Sequence, residues 1–334
     1  MTDVGVRTAN GVADLPRDEW DACAGADDPF ARHAFLSALE DSGSVTAETG
    51  WQPRHLVAED EAGTVVAAAP LYLKGHSYGE FVFDWGWAEA YERAGGHYYP
   101  KLQAAIPFTP VTGRRLLIRR DLPETTQGKL ADTLSAALVE LAGRFGVSSV
   151  HVTFPTEAEW RRFGELGFLL RTSTQFHWEN RDYATFDDFL DGLASRKRKA
   201  IRKERRAVAE SGVALSVLTG ADITPAHWDA FYHFYRDTSD RKRGAAYLTR
   251  DFFTRLGRTM AEAVVLVMAE ADGEFVGGAL NLMGGGVLYG RYWGCVKDYR
   301  FLHFEACYYQ AIEFAIANGL SRVEAGAQGP HKIQ

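Results

Sequence analysis

Three landmarks in this 334-residue chain recur in order at nearly one spacing, which makes it two copies of one unit. Asp18-Glu19-Trp20-Asp21-Ala22 is echoed by Ala226-His227-Trp228-Asp229-Ala230, an offset of 208 at the tryptophan. LVAEDEAGTVVAAAPLYL from Leu56 resembles VMAEADGEFVGGALNL from Val267, with turn glycines Gly63 and Gly273 offset by 210. Trp85-Gly86 reappears as Trp293-Gly294, again at 208. No one match persuades alone; the common spacing does.

A fourth correspondence measures an insertion. Leu134, Leu138, Leu141 and Phe145, and again Phe304, Cys307, Ala311 and Phe314, follow the three-and-four spacing of amphipathic helices. Each helix ends near a glycine suited to a left-handed cap (Gly146, Gly319) and leads into a strand, VSSVHV or LSRVEA. Here the offset falls to 173, so the first copy holds roughly 35 extra residues between Trp87 and Leu134. The Tyr/Pro/Gly-rich stretch from Tyr91 to Gly113 is the candidate, within an insertion spanning about 91–125. Each copy reads as a helical start, a β-hairpin, a third strand, an amphipathic helix and a strand, which predicts an α/β (α+β) fold with mainly antiparallel mixed sheets. The expected domains are 1–182 and 213–334, joined by a basic helix over 183–212.

That helix is the sharpest local feature. SRKRKAIRKERR, residues 195–206, carries eight Lys/Arg and one Glu, a local +7 in a chain of net −7, so the remainder carries −14. Thr185-Phe-Asp-Asp188 has the form of a capping box. Continuous helix is expected from there to Gly212, with Asp187, Asp188 and Asp191 near the positive end of its dipole and the cations following. Its apolar stripe, Leu190, Leu193, Ile201 and Val208, is narrow, so most cations must face water or a ligand. Two readings stand: a site for a phosphate-bearing partner, or a solvated linker salted to the acidic remainder.

Composition excludes other classes. An apolar share of 46% with eight Trp, fourteen Tyr and twenty Phe is that of a folded chain. MTDVGVRTANG lacks a secretory pattern, and the longest apolar stretch, Val65 to Leu73, is too short to span a bilayer. Cys23, Cys295 and Cys307 are scattered and form no CxxC, which fits reduced thiols and predicts a cytoplasmic protein. No metal is expected, for neither HExxH nor paired cysteines occur. Gly284-Gly285-Gly286 lacks the Lys-Ser/Thr of a P-loop and reads as a hairpin turn; no GxSxG elbow is present.

The order of parts resembles the acyl-CoA N-acyltransferase superfamily, the GNAT fold, in tandem. More closely it resembles the Fem-type (FemAB-like) branch, which includes enzymes building peptidoglycan cross-bridges. The residues that carry the resemblance are Arg196-Lys-Arg-Lys-Ala-Ile-Arg202-Lys203 before Gly212-Val213, His177-Trp178-Glu179-Asn180, Tyr289-Gly-Arg-Tyr-Trp-Gly-Cys295, His303-Phe-Glu305 and Glu324-Ala-Gly-Ala-Gln-Gly329. They look like bacterial N-acyltransferases of a peptidoglycan biosynthesis or recognition family. The resemblance implies N-acyl or aminoacyl transfer from acyl-CoA or aminoacyl-tRNA, used as co-substrate with no permanently bound cofactor. The acceptor is an amine, of a peptidoglycan precursor or a small molecule; tRNA is an implied partner and DNA is not. Two departures stand out. Where a GNAT enzyme has Q/R-x-x-G-x-G/A for the CoA pyrophosphate, this chain has Arg300-Phe-Leu-His-Phe-Glu305, without either glycine. Relatives also continue past the segment matching Gly329-Pro-His331-Lys332, so the second copy is expected to be truncated at the C-terminus.

Amine attack on an acyl group needs a polarised carbonyl and a route for the departing proton. Tyr289, Arg291 and Trp293 alternate along a strand and are expected to share one face, as a cleft wall or as an interior aromatic pair with a buried ion pair. Tyr289, Arg291, His303, Glu305 and Glu324 are the catalytic candidates; helix capping and salt bridging are the structural alternatives for the last three. Arg196, Lys197, Arg198, Lys199, Arg202 and Arg205 are the donor-binding candidates. Trp178, Trp293, Gln328, His331 and Lys332 are the substrate-binding candidates, and His76, Asp84 and Trp85 are weaker ones in the first copy. The competing class is a non-catalytic module that binds peptidoglycan precursor or RNA on the same scaffold.

Overall fold

The computed structural model describes residues 4–241 and 246–326. The chain divides between Thr172 and Ser173 into two compact units.

In the first unit, strands β1 (Gly5–Ala9), β3 (His55–Glu59), β4 (Val65–Ala69) and β7 (Leu117–Ile118) form an antiparallel sheet in that order. A second sheet runs β2 (Trp51–Pro53), β5 (Leu71–Lys74), β6 (Lys101–Ala104) and β8 (Val150–Val152), with β6 and β8 parallel. β4 and β5 are one line of chain broken at Pro70, which has no N–H for a ladder and lets the strand change sheets. Helix α1 (Arg17–Ala24) buries Trp20, whose indole N–H donates to the Ala31 carbonyl at 2.8 Å. After α2 (His33–Asp41) and α3 (Trp85–Arg93), α4 (Glu124–Phe145) lays Leu130, Leu134, Leu138 and Leu141 over Leu56, Ala67, Leu71 and Leu102. It ends at Gly146 with φ 63°, the left-handed cap expected from the sequence. α5 (Glu157–Glu165) completes this unit.

The second unit is one six-stranded sheet, β10 (Ala214–Thr219), β11 (Val264–Ala271), β12 (Glu274–Gly284), β13 (Val287–Cys295), β14 (Arg322–Glu324) and β9 (His177–Glu179) in that order. Only β13 and β14 are parallel. Because β9 adds to the edge beyond β14, residues 173–182, expected in the first domain, belong here. One face carries α8 (Pro225–Arg241) and α9 (Arg250–Thr259) through Phe231, Phe234, Phe252 and Phe253. Gly294 permits α8's approach, for a Cβ there would meet the Phe234 backbone at 2.4 Å. On the other face lie α10 (Leu302–Phe304), a π turn (Glu305–Tyr309) and α11 (Gln310–Ala317), packed through Tyr309, Ile312 and Ile316 on Val265, Leu288 and Val323.

The two units share a topology, β1-β3-β4/β5-β6-helix-β8 corresponding to β10-β11-β12-β13-helix-β14. The expected duplication is present, with Trp20 and Trp228 both buried and turn glycines Gly63 and Gly273 at φ 80° and 81°. Trp85-Gly86 and Trp293-Gly294 are not equivalent: Trp85 opens α3 at the surface, whereas Trp293 lies within β13. The extra length is split. Residues 75–100 stand where the second unit has the two-residue turn Gly285–Gly286, and 105–123 stand where it has 296–301.

Between Ser173 and β10, the expected single helix is two. The capping box at Thr185 and Asp188 forms and starts α6 (Phe186–Asp191); the chain breaks at 192–194, and α7 (Ser195–Ala209) begins afresh. Asp187 and Asp188 therefore lie in the first turn of α6 and Asp191 at its end, and the cations occupy the first turns of α7, the reverse of what its dipole favours.

Candidate active site

Helix α7 divides its cations into two groups. Arg198 pairs with Asp191 (3.4 Å) and Arg202 with Asp187 (3.0 Å), both carboxylates on α6. Arg205 donates to Glu305 (3.2 Å) and Glu313 (2.6 Å), and its guanidinium lies 4.6 Å from the Phe186 ring centre. Burial opposes the charge on Arg205, yet Glu305 and Glu313 outweigh it and raise its pKa. The Glu204 carboxylate accepts from the Tyr309 hydroxyl, so three elements lock together here. Arg196, Lys197, Lys199, Lys203 and Arg206 are exposed and make no ion pair among the described residues. A cavity of about 370 Å³ lies between α6 and the later turns of α7, lined in part by Thr185, Arg202, Arg205, Arg206 and Glu313, away from Arg196, Lys197 and Lys199.

A fork lies in the sheet. β13 and β14 pair only from Val287–Arg322 to Tyr289–Glu324. Past Glu324 the chain follows β9, the Ala325 N–H donating to the Phe176 carbonyl at 3.0 Å, while β13 continues to Cys295 beside β12 alone among the described residues. The register of β12 on β13 slips at Leu280/Asn281: Asn281 faces Gly290, Leu280 faces Tyr292, and Arg291 is the unmatched residue of a bulge. The expected shared face is therefore broken. Tyr289 and Tyr292 point to the α8 side, where Tyr292 packs on Tyr235, and Trp293 points to the helix opposite, against His303 at 5.5 Å. At the fork, Glu324 is buried, with His177 at 3.8 Å, Arg322 at 3.5 Å and the charge of Arg291 acting on it. Burial lowers the pKa of Arg291, opposed by Tyr292 and Glu324; burial likewise lowers His177.

The first unit holds a buried charged cluster. Lys101 Nζ donates to Ser77 (2.8 Å), Glu80 (2.9 Å) and Asp84 (2.6 Å), and the Tyr98 hydroxyl donates to Asp84 at 2.8 Å. Lys74, opposite Lys101 in register, lies 3.6 Å from the Trp51 ring centre and donates to the Tyr78 carbonyl at 3.4 Å. Burial brings Lys74 down to about 7 and pushes Glu80 up to about 7 against the pull of Lys101.

A family profile described as peptidoglycan biosynthesis/recognition, FemAB-like, matches residues 11–334. The chain belongs to the FemAB-like family. Solved structures agree on the fold. FemX, at 13% identity, aligns over 94% of this chain and 88% of its own with a TM-score of 0.56. The C-terminal domain of a putative lysylphosphatidylglycerol synthetase from Agrobacterium fabrum, at 10% identity, aligns over 93% and 76% with a TM-score of 0.56. L-PGS from Bacillus licheniformis, at 10% identity, aligns over 90% and 76% at 0.52. No curated protein matches by sequence. By family the chain is FemAB-like, and it shares the fold of FemX.

Of the residues singled out in its sequence, Tyr289, Arg291 and Glu324 come together at the fork. His303 and Trp293 meet edge-on on the opposite face, and Glu305 is held by Arg205 and by Gln310 at 2.8 Å. Trp178 lies on β9 against Tyr183 and Phe189, its indole N–H buried and without a partner among the described residues. Gln328, His331 and Lys332 lie outside the described residues. Asp84 proves central to the first unit's cluster, whereas Trp85 and His76 stay at its edge. Sequence reasoning missed Lys74, Lys101 and Glu80. A signal was present: Tyr72 and Lys74 continue the alternation of the apolar run from Val65, which places Lys74 inward. Among the described residues no helix is long and apolar enough to cross a membrane, and no group of His, Cys, Asp and Glu could hold a metal ion.

Proposed function

We propose that this FemAB-like protein moves an aminoacyl or acyl group from a phosphate-bearing carrier to an amine of a peptidoglycan-precursor type acceptor in the cytoplasm. The observation that carries the donor class is α7: Arg196, Lys197 and Lys199 open a helix with no side-chain cap, so their charges add to the positive end of its dipole. Nothing among the described residues neutralises them, and a polyanion does. Of the two carriers, aminoacyl-tRNA has the better support. The loop before the central helix offers Phe301, at φ 66°, and the buried Leu302 where backbone contact with the CoA pyrophosphate calls for glycine. A protein named as a putative lysylphosphatidylglycerol synthetase shares this fold, in keeping with aminoacyl transfer.

Chemistry falls to the fork. The acceptor amine attacks the acyl carbon, a C–N bond forms, and the C–O or C–S bond to the carrier breaks. Glu324 takes the amine proton, directly or through water, and the proton ends on the departing oxygen or sulfur. Tyr289 and Arg291 flank the reacting group, and the edge of β13 beyond Tyr289, from which β14 parts and with which no other strand among the described residues pairs, supplies main-chain polarity toward the carbonyl. The test is binding of an acyl-CoA panel beside charged and uncharged tRNA at two salt concentrations. Salt-sensitive binding of charged tRNA that weakens on Lys197→Glu/Lys199→Glu supports the reading; binding indifferent to both overturns the assignment of α7. Saturable tRNA binding with no acyl transfer to any amine acceptor favours the non-catalytic module.

A further inference from the structure

Lys74 and Lys101 are fully buried and stand opposite one another on adjacent strands. Like charges in facing positions destabilise a sheet, and a buried ammonium is tolerated only beside an anion. Here the cations belong to the sheet, while both anions, Glu80 and Asp84, come from residues 75–100, the segment that the second unit replaces with a two-residue turn. The fold itself therefore provides two positive charges, and an addition to the fold covers them.

The cover is an imperfect partner. Among the described residues Glu80 Oε1 and Asp84 Oδ1 have no hydrogen-bond partner, and both side chains are more than nine-tenths buried. A polar core selected for stability alone satisfies such atoms. The same segment also carries Tyr78, Phe83, Trp85, Trp87 and Tyr91 exposed on its outer side. Tyr78 packs on Trp85 at 5.0 Å, and Trp87 and Tyr91 are one turn apart on α3, so the segment has packing of its own to keep if it moves.

We propose that the first unit contains a dianion-binding site formed by Lys74 and Lys101 on β5 and β6, closed in the free protein by segment 75–100, whose Glu80 and Asp84 carboxylates occupy the ligand's place. The ligand presents two negative charges at close spacing, as a diphosphate or a pair of carboxylates does. Trp51, beneath the Lys74 ammonium, forms the apolar wall of the site. The site is independent of the transfer chemistry assigned to the second unit.

Pyrophosphate and glutarate are the probes, used with the full chain. In Glu80→Gln/Asp84→Asn the occupying charges are gone, and the expected result is at least tenfold tighter binding of one probe than in the wild type, with a rise in Tm on its addition larger than the wild type shows. Adding Lys101→Met to that variant should abolish both effects. In the wild type, the bound probe should speed hydrogen exchange across 75–100 and leave β11 and β12 unchanged. Preference for pyrophosphate or for glutarate identifies which kind of dianion the site takes. A variant that is merely less stable and gains affinity for neither probe overturns the proposal. So does pyrophosphate binding that survives Lys101→Met, which belongs to the cations of α7. If the double variant does not fold, Glu80→Gln is read the same way, and unchanged wild-type exchange at saturating probe overturns the idea by itself.

Discussion

Arg205 and Glu305 lie 3.1 Å apart, the guanidinium on α7 and the carboxylate at the start of the π turn. The pair fixes the basic helix to the helix that crosses between β13 and β14. Glu305 is almost wholly buried, so removing its cation strands a charge in the interior. Breaking a buried pair costs ~3–5 kcal/mol, and the partial exposure of Arg205 lowers that. Arg205→Met should destabilise the protein by about 2 kcal/mol in urea titration. Lys203→Met, exposed on the same helix, should stay within about 0.5 kcal/mol of the wild type.

Glu324→Gln keeps the size of the side chain and removes the proton acceptor. Donor binding should be unchanged within about twofold while turnover falls by ~10²–10⁴. A single-turnover assay with saturating donor checks this, and equal loss of binding and turnover would point to a structural role.

Lys197→Glu/Lys199→Glu should weaken donor binding and flatten its dependence on salt. Each phosphate that the variant no longer neutralises reduces the steepness of log K against log salt by about 0.7. Binding measured over a salt series reads the slope directly.

The burial of Lys74 gives stability a particular pH dependence. Its folded pKa of about 7 lies below the usual lysine value, so between pH ~7 and ~10 the unfolded chain binds the extra proton. Stability from this group therefore rises with pH across that window and is least below it. Lys74→Met should be more stable than the wild type at pH 6, with the advantage shrinking toward pH 10, as followed by Tm at matched ionic strength.

Gly294→Ala should cost ~2 kcal/mol, since its new Cβ would meet the Phe234 main chain, which cannot yield. Gly286→Ala, at φ 76° with only the Ser321 hydroxyl in ordinary contact at 3.7 Å, should cost ~1 kcal/mol from its backbone alone. Denaturant midpoints of the two variants separate a packing cost from a conformational one.

How far the sequence could be read depended on the kind of pattern involved. Periodic apolar positions placed α4 and the central helix, and turn chemistry placed the hairpins at Gly63 and Gly273, because burial and left-handed backbone impose those patterns locally. Trp85-Gly86 matched Trp293-Gly294 with no period behind it and proved a coincidence of composition. Alternation put Tyr289, Arg291 and Trp293 on one face because a bulge has no signature in the run itself. Gly192 interrupted a helix whose charges read as continuous. Lys74 and Lys101 escaped notice because a strand lysine is ordinarily at the surface, and only the register shows them facing each other indoors.

The π turn at Glu305–Tyr309 has one residue more than an α turn needs, which rotates everything after it by about 100° about the axis. That rotation brings Gln310 and Glu313 round to the side where Glu305 already stands, so a single guanidinium reaches two carboxylates eight positions apart. Deleting one residue there would leave helix propensity nearly untouched and still unclasp α7, because the clasp depends on angular phase rather than on which residues are present.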